Sequence, residues 1–186
     1  MSNKKFMVKC ITALMLCLIG LASCRDKIPT NEIHYTTIDN SVLPIKDLFY
    51  FGAGRIVSNS YDPDKNVCIL KLDKDVTKIG NDAFHNCLSL TSITIPESVT
   101  EIGNDAFYGC SSLTSITIPP LVTKIGNATF LNCFSLTYIT IPPSVTEIGA
   151  FAFLNCYSLT EVRIPKGCYV TESAFKDCPN VQIIRY

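Results

Sequence analysis

The chain repeats itself every 23 residues through its second half, and no other feature constrains its fold as strongly. Full copies begin at Val76, Val99, Val122 and Val145 and share the pattern VTxIGxxxFxxCxSLTxxxIP. A fifth copy over residues 168–186 has lost one residue early, and a half copy occupies residues 67–72. Self-similarity of this strength predicts a solenoid, because one unit cannot bury its apolar face alone.

Each copy contains two β-like segments and one turn-like segment. The segment LTSITI is rich in Thr and Ile and ends at a proline, which is typical of a strand. The segment Val-Thr-x-Ile is a second short β-like stretch, and a glycine follows it. The segment Asn-Asp-Ala-Phe is a candidate one-turn helix with Asn or Asp as its cap. We therefore predict a repeat solenoid that is mainly β with short helical turns, its parallel strands stacked at the 23-residue period.

Stacking turns each repeat position into a ladder of equivalent side chains, about 4.8 Å apart. We expect the phenylalanine and leucine ladders to form the core. Each copy has one cysteine with no histidine in register, which disfavours a metal site. Parallel side chains keep their Cβ atoms about as far apart as the coils, beyond the roughly 3.5–4.5 Å that a disulfide prefers, so we predict reduced structural thiols. The position after Val-Thr alternates between Lys and Glu, which predicts an exposed charge ladder. These ladders are Phe84, Phe107, Phe130, Phe153 and Phe175; Leu90, Leu113, Leu136, Leu159 and Val181; Cys87, Cys110, Cys133, Cys156 and Cys178; and Lys78, Glu101, Lys124 and Glu147.

The repeat resembles the BspA-type leucine-rich repeats of bacterial surface proteins. That family's pattern, I-G-x-x-A-F-x-x-C-x-x-L-x-x-I-x-I-P, occurs here as Ile102-Gly103, Ala106-Phe107, Cys110, Leu113, Ile116 and Ile118-Pro119. The resemblance implies a right-handed leucine-rich-repeat solenoid over residues 67–186. Residues 32–66 resemble the segment that precedes the repeats in such proteins, which implies a β-rich N-terminal cap.

The first residues predict export and lipid attachment. Lys4, Lys5 and Lys9 precede an apolar run of about eleven residues, too short to span a bilayer, which needs about 20. The run ends in Leu-Ala-Ser-Cys24, which resembles the lipobox of bacterial lipoproteins. The resemblance implies a cleaved signal peptide at 1–23, lipidation of Cys24 and a tether at 24–31. The alternative is an ordinary signal peptide with a chance cysteine.

The candidate binding site lies on the strands of the last coils. In leucine-rich repeats, strand residues between the apolar positions face the concave, ligand-binding side. By the repeat alignment, one such column contains Ile69, Ser92 and Ser115, and its neighbour contains Lys71, Thr94 and Thr117. The middle coils carry only Ser and Thr, whereas the later coils carry aromatic and charged residues, which are enriched at binding hot spots. The predicted concave site is Tyr138, Thr140, Glu161, Arg163, Ile183 and Arg185; the alternative is simple drift of terminal repeats.

The resemblance implies an adhesion-type repeat module that binds a protein or glycan, placed at the outer membrane or cell surface by the anchor on Cys24. The alternative function is a structural envelope protein that self-associates end to end through its C-terminal coil. The chain has no hydrolase, zinc-protease or nucleotide-binding motif, so we predict neither an enzyme nor a cofactor. Without residues 1–23, it has 13 basic and 16 acidic residues, a net charge of about −3, which disfavours nucleic acid.

Overall fold

The computed structural model describes residues 28–45, 51–52 and 54–186. The predicted signal peptide, Cys24 and the first part of the tether lie outside the described residues. None of the described residues belongs to a helix long and apolar enough to cross a membrane.

The described chain is a β-solenoid whose coils are joined by two ladders of parallel strands, which confirms the predicted fold class. On one side the strands form two sheets: one of five strands, which includes the N-terminal strands and the two-residue strand Ser115–Ile116, and one of three strands at the C-terminal end. On the other side five two-residue strands form a single parallel sheet. In chain order the strands are β1 (Glu32–Thr37), β2 (Ile56–Asp62), β3 (Val67–Leu72), β4 (Lys78–Ile79), β5 (Leu90–Thr94), β6 (Glu101–Ile102), β7 (Ser115–Ile116), β8 (Lys124–Ile125), β9 (Tyr138–Thr140), β10 (Glu147–Ile148), β11 (Glu161–Ile164), β12 (Tyr169–Val170) and β13 (Gln182–Arg185).

The segment predicted as a helical turn is a series of tight turns instead. Its second residue has a left-handed backbone, with φ of 58° at Asp82 and 52° at Ala128, and a right-handed helix cannot pass through that conformation. The backbone N–H groups also point to the next coil, as in the bond from Phe84 to the carbonyl of Ala106 (2.8 Å). Hydrogen bonding between coils therefore replaces hydrogen bonding within a helix.

The predicted core ladders are confirmed. The rings of Phe84, Phe107, Phe130 and Phe153 are fully buried and stack with centroids 5.2–5.4 Å apart. The leucine column is also fully buried from Leu90 to Leu159. Offset aromatic contacts and burial of whole apolar side chains are large stabilising terms, so these columns hold adjacent coils together.

The cysteine column also joins one coil to the next. The thiol of Cys110 donates a hydrogen bond to the carbonyl of Phe84 (3.1 Å), and Cys133 donates in the same way to Phe107 (3.3 Å). Burial raises the pKa of the Cys133 thiol to about 12, so the thiol remains the protonated donor at neutral pH. The seven cysteines among the described residues are free.

At the N-terminal end, β1 lies between β3 and β5 and is antiparallel to both. The half copy in β3 therefore does not stack directly on the first full coil, and the predicted placement of Ile69 and Lys71 beside the Ser92 and Thr94 rung is wrong. Ile69 pairs with His34, and His34 pairs with Thr94 on its other side. An alignment of the repeat copies cannot predict this insertion, because β1 lies outside the repeated region.

Described residues between β1 and β2 contact the first coil. Phe51 is buried and extends the phenylalanine ladder by an edge contact with Phe84, with ring centroids 5.9 Å apart. The Tyr35 hydroxyl donates to the Asn59 side chain (2.7 Å) and accepts from the Leu43 backbone (3.1 Å). These contacts close the N-terminal end of the core.

At the C-terminal end, the register of the last strand differs from the predicted one. Glu161 pairs with Gln182, and Arg163 pairs with Ile184. Phe153 still stacks on Phe175 (5.0 Å), so a second residue is lost between that ring and β13. Ile183 and Arg185 therefore pair with the buried Val162 and Ile164, not with Glu161 and Arg163 as predicted from the sequence.

Candidate functional site

Two columns of side chains form the outward side of the longer strands, and we call this surface the strand face. Alternate strand residues point inward and are buried, as Ile139 is between the exposed Tyr138 and Thr140. The alternation leaves one polar residue on each side of every buried one. The columns are Thr36, Ser92, Ser115, Tyr138, Glu161 and Gln182, and His34, Thr94, Thr117, Thr140, Arg163 and Ile184.

Four of the predicted site residues lie together at the C-terminal half of this face. Tyr138 is 58% exposed and pairs with Glu161 on the next strand. Thr140 pairs in the same way with Arg163. Within the described part of the chain, neither the Glu161 carboxylate nor the Arg163 guanidinium forms an ion pair, although the two are two residues apart on β11. An aromatic ring and two opposite charges are thus presented to solvent.

The other two predicted residues do not join this group. Arg185 donates hydrogen bonds through Nη1 to the carbonyls of Cys168 (2.7 Å) and Pro165 (3.2 Å), so its guanidinium stabilises a turn. Ile183 follows the inward column of Val162, and it is partly exposed in the last described strand. The shift of register in β13 is the reason for both differences.

The N-terminal half of the strand face contains a polar cluster that was not predicted from the sequence. The Glu32 carboxylate contacts His34 Nε2 (3.0 Å) and Lys71 Nζ (3.3 Å). These contacts lower the pKa of Glu32, and the hydrogen bond with His34 is the largest cause. Beside this cluster the Thr36 hydroxyl bonds those of Thr91 and Ser92, at 2.7 Å each. The only signal in the sequence was the polar–apolar alternation over residues 32–37.

A groove of about 780 Å³ opens beside the middle of the strand face, where β5 and β7 end. Its volume lies in the range typical of small-ligand sites. Thr94 and Thr117 belong to both the groove and the strand face, so the two surfaces are continuous. The groove is lined by one acidic residue, Glu97, and otherwise by proline, threonine and isoleucine side chains, including Pro29, Ile93, Thr94, Thr117, Pro119 and Pro120.

The opposite ladder and the turns carry different chemistry. The predicted charge ladder lies along β4, β6, β8 and β10, with an ion pair between Lys124 and Glu147 (2.8 Å). On the turns, the exposed rings of Phe134 and Tyr157 stack on each other at 5.4 Å. Among residues 28–45, 51–52 and 54–186, no three His, Cys, Asp or Glu side chains cluster as metal ligands would.

Comparison with protein families gives one match that covers most of the chain. A model described as the BspA type leucine-rich repeat region matches residues 55–182 in six copies. No curated protein is significantly similar to the chain.

Solved structures of bacterial leucine-rich repeat proteins are also similar. A leucine-rich cell surface protein from Faecalibacterium prausnitzii A2-165 is 35% identical, with a TM-score of 0.58 over 61% of this chain and 30% of that one. A leucine-rich repeat protein from Bacteroides ovatus ATCC 8483 is 40% identical, with a TM-score of 0.57, and the match covers 60% of this chain and 29% of that one. The T. pallidum leucine-rich repeat protein is 28% identical, with a TM-score of 0.59, and the match covers 76% of this chain and 71% of that one. The matched region thus spans about three tenths of the first two proteins.

Proposed function

Because the chain belongs to the BspA type leucine-rich repeat family, we propose that it is a lipid-anchored cell-surface module that binds an external macromolecule through its strand face. The observation that carries this proposal is the group formed by the exposed Tyr138 and Arg163 and the half-buried Glu161, whose polar ends have no partner within the described chain. Aromatic and arginine side chains are enriched among the residues that dominate binding energies.

Other observations support a surface module. The similar protein from F. prausnitzii is described as a cell surface protein. The interior columns are all occupied by packing or by hydrogen bonds between coils, as with Phe107 and Cys133. Because the strand face makes no such contribution to the core, substitution there can change binding without unfolding the solenoid.

The binding proposal is tested with paired double variants. Tyr138→Ala with Arg163→Ala should lower capture of the protein by intact host cells about tenfold or more, measured by flow cytometry. The matched control, Tyr169→Ala with Lys166→Ala, removes an exposed Tyr and Lys that lie outside the strand face and should leave capture unchanged. Equal capture of both double variants would contradict binding through the strand face.

The anchor is tested separately, because binding and anchoring use different residues. Cys24→Ser should abolish incorporation of labelled palmitate and move the protein from the membrane to the soluble fraction. Cys17→Ser changes a cysteine within the apolar run and should leave both unchanged. Brief protease treatment of intact cells then reports surface exposure, and complete protection would contradict it. Retention of the label in Cys24→Ser would contradict the proposed lipidation site.

A further inference from the structure

We propose that the macromolecule is a neutral glycan and that its chain runs along the strand face into the groove beside Thr94 and Thr117. This inference rests on the proposed function, since it names the partner of the same face. It concerns the Ser and Thr residues of the middle coils, which are not part of the predicted concave site.

The first argument is the chemistry of the central rungs. Between the N-terminal cluster and Tyr138, the strand face presents only hydroxyl groups, from Ser92, Thr94, Ser115 and Thr117. Serine is depleted at protein–protein interfaces, whose centres bury large apolar side chains, and these rungs contain none. Hydroxyl groups both donate and accept hydrogen bonds, which suits a polyhydroxylated ligand.

The second argument is charge complementarity. Glu161 and Arg163 are the charged residues of the C-terminal rungs, and their charges cancel. At the other end Glu32 is offset by Lys71, 3.3 Å away. The groove adds one acidic residue, Glu97, and no basic one, so the surface gives no attraction to a polyanion such as an acidic polysaccharide or nucleic acid. The Glu161 carboxylate and the Arg163 guanidinium can instead bind the hydroxyls of an uncharged sugar.

The third argument is shape. Tyr138 offers an exposed ring, and an aromatic ring can pack against the apolar C–H face of a sugar while its hydroxyl stays hydrated. Thr117, on the coil that precedes Tyr138, lines the groove, which has a volume of about 780 Å³. A chain laid along the columns therefore meets the Tyr138 ring, a row of hydroxyls and then an open groove.

The experiment uses the absence of tryptophan from the natural sequence. In the full chain, Tyr138→Trp provides a single reporter on the strand face, and Tyr169→Trp provides the matched reporter elsewhere. The probes are maltohexaose and cellohexaose as neutral glycans, heparin as a polyanion and collagen as a protein. We expect one of the neutral hexaoses to shift the emission of the Tyr138→Trp variant and to leave that of the Tyr169→Trp variant unchanged.

The groove is tested in the same titration. Thr117→Val, added to Tyr138→Trp, removes one hydroxyl with little change of shape and should weaken binding about fivefold. Thr123→Val is the control, since Thr123 is exposed outside the strand face. Equal effects of the two valine substitutions would overturn the role of the groove.

The remaining outcomes separate this inference from the proposed function. Stronger binding of heparin than of either hexaose would overturn a neutral ligand. Binding of collagen or of host cells that depends on Tyr138, without any response to the hexaoses, would overturn the glycan and leave the proposed function standing. No response to any probe, with cell capture that does not depend on Tyr138, would overturn both.

Discussion

In the middle of the solenoid every residue lies against the one 23 positions along the chain, whereas at both ends this rule fails. Phe107 stacks on Phe130, and Lys124 pairs with Glu147. At the N-terminal end an antiparallel strand enters the ladder, and at the C-terminal end Glu161 pairs with Gln182. The period therefore determines the core, while strand insertion and deletion determine which side chains reach the strand face at the ends.

The largest expected effect comes from removing a phenylalanine ring in the middle of the solenoid, compared with removing one at its end. Phe107 is fully buried, with a ring 5.2 Å away on one side and 5.4 Å on the other. Phe107→Ala should lower the free energy of unfolding by roughly 3–5 kcal/mol. Phe175 is only partly buried, so Phe175→Ala should cost less than half as much. Urea denaturation measures both, and equal losses would contradict the stacked core.

The structure confirms the inward-facing columns that the repeat alignment predicted. The phenylalanine, leucine and cysteine columns follow from periodicity alone, because each copy gives the same inward side chain the same environment. The turns were mispredicted although most of their left-handed positions are Asn or Asp, such as Asn86 and Asn132, which favour that backbone. Only the exceptions, Ala128 and Phe151, carry no such signal. The sequence favoured a helical turn there, whereas bonds between coils decide the conformation.

The candidate site was predictable only where the period holds. Tyr138, Thr140, Glu161 and Arg163 lie on the strand face as predicted, whereas Ile183 and Arg185 do not. A single deletion shifts a strand by one residue and exchanges its inward and outward side chains. His34 was missed because its place depends on a strand pairing between distant segments, with partners at Ile69 and Thr94.

A second test addresses the N-terminal end through pH. Burial raises the pKa of Tyr35 to about 12, while an unfolded tyrosine titrates near 10. The native state therefore retains a proton that the unfolded state loses, and stability decreases as pH rises from about 10 to 12, by about 3 kcal/mol. In Tyr35→Phe this contribution should be absent, while the buried thiols such as Cys133, whose pKa is also raised to about 12, still lower the stability over this pH range. Identical pH slopes for the two proteins in urea denaturation would contradict the assignment.

A third test uses two glycines with different surroundings. A Cβ on Gly126 would lie 2.7 Å from Asn104 Oδ1 and 2.8 Å from its backbone nitrogen, whereas a Cβ on Gly167 would meet nothing within 4 Å. Gly126→Ala should therefore push neighbouring coils apart and cost about 1–3 kcal/mol. Gly167→Ala should change the stability by less than about 1 kcal/mol in either direction. If thermal melting shows the same change for both, coil spacing is not set by this contact.

The smallest effect is expected for substitutions in the charge ladder. These substitutions test whether the charges or the inward packing keep the middle coils in register. The Lys124–Glu147 pair is half-exposed, so Lys124→Ala should cost less than about 1 kcal/mol. Lys124→Glu places three glutamates on adjacent rungs and should cost only slightly more, with the loss reversed by salt because screening weakens exposed repulsions. Circular dichroism melts at low and high salt measure this. A small, salt-sensitive loss would mean that inward packing sets the register; a large, salt-insensitive loss would assign it to the charges.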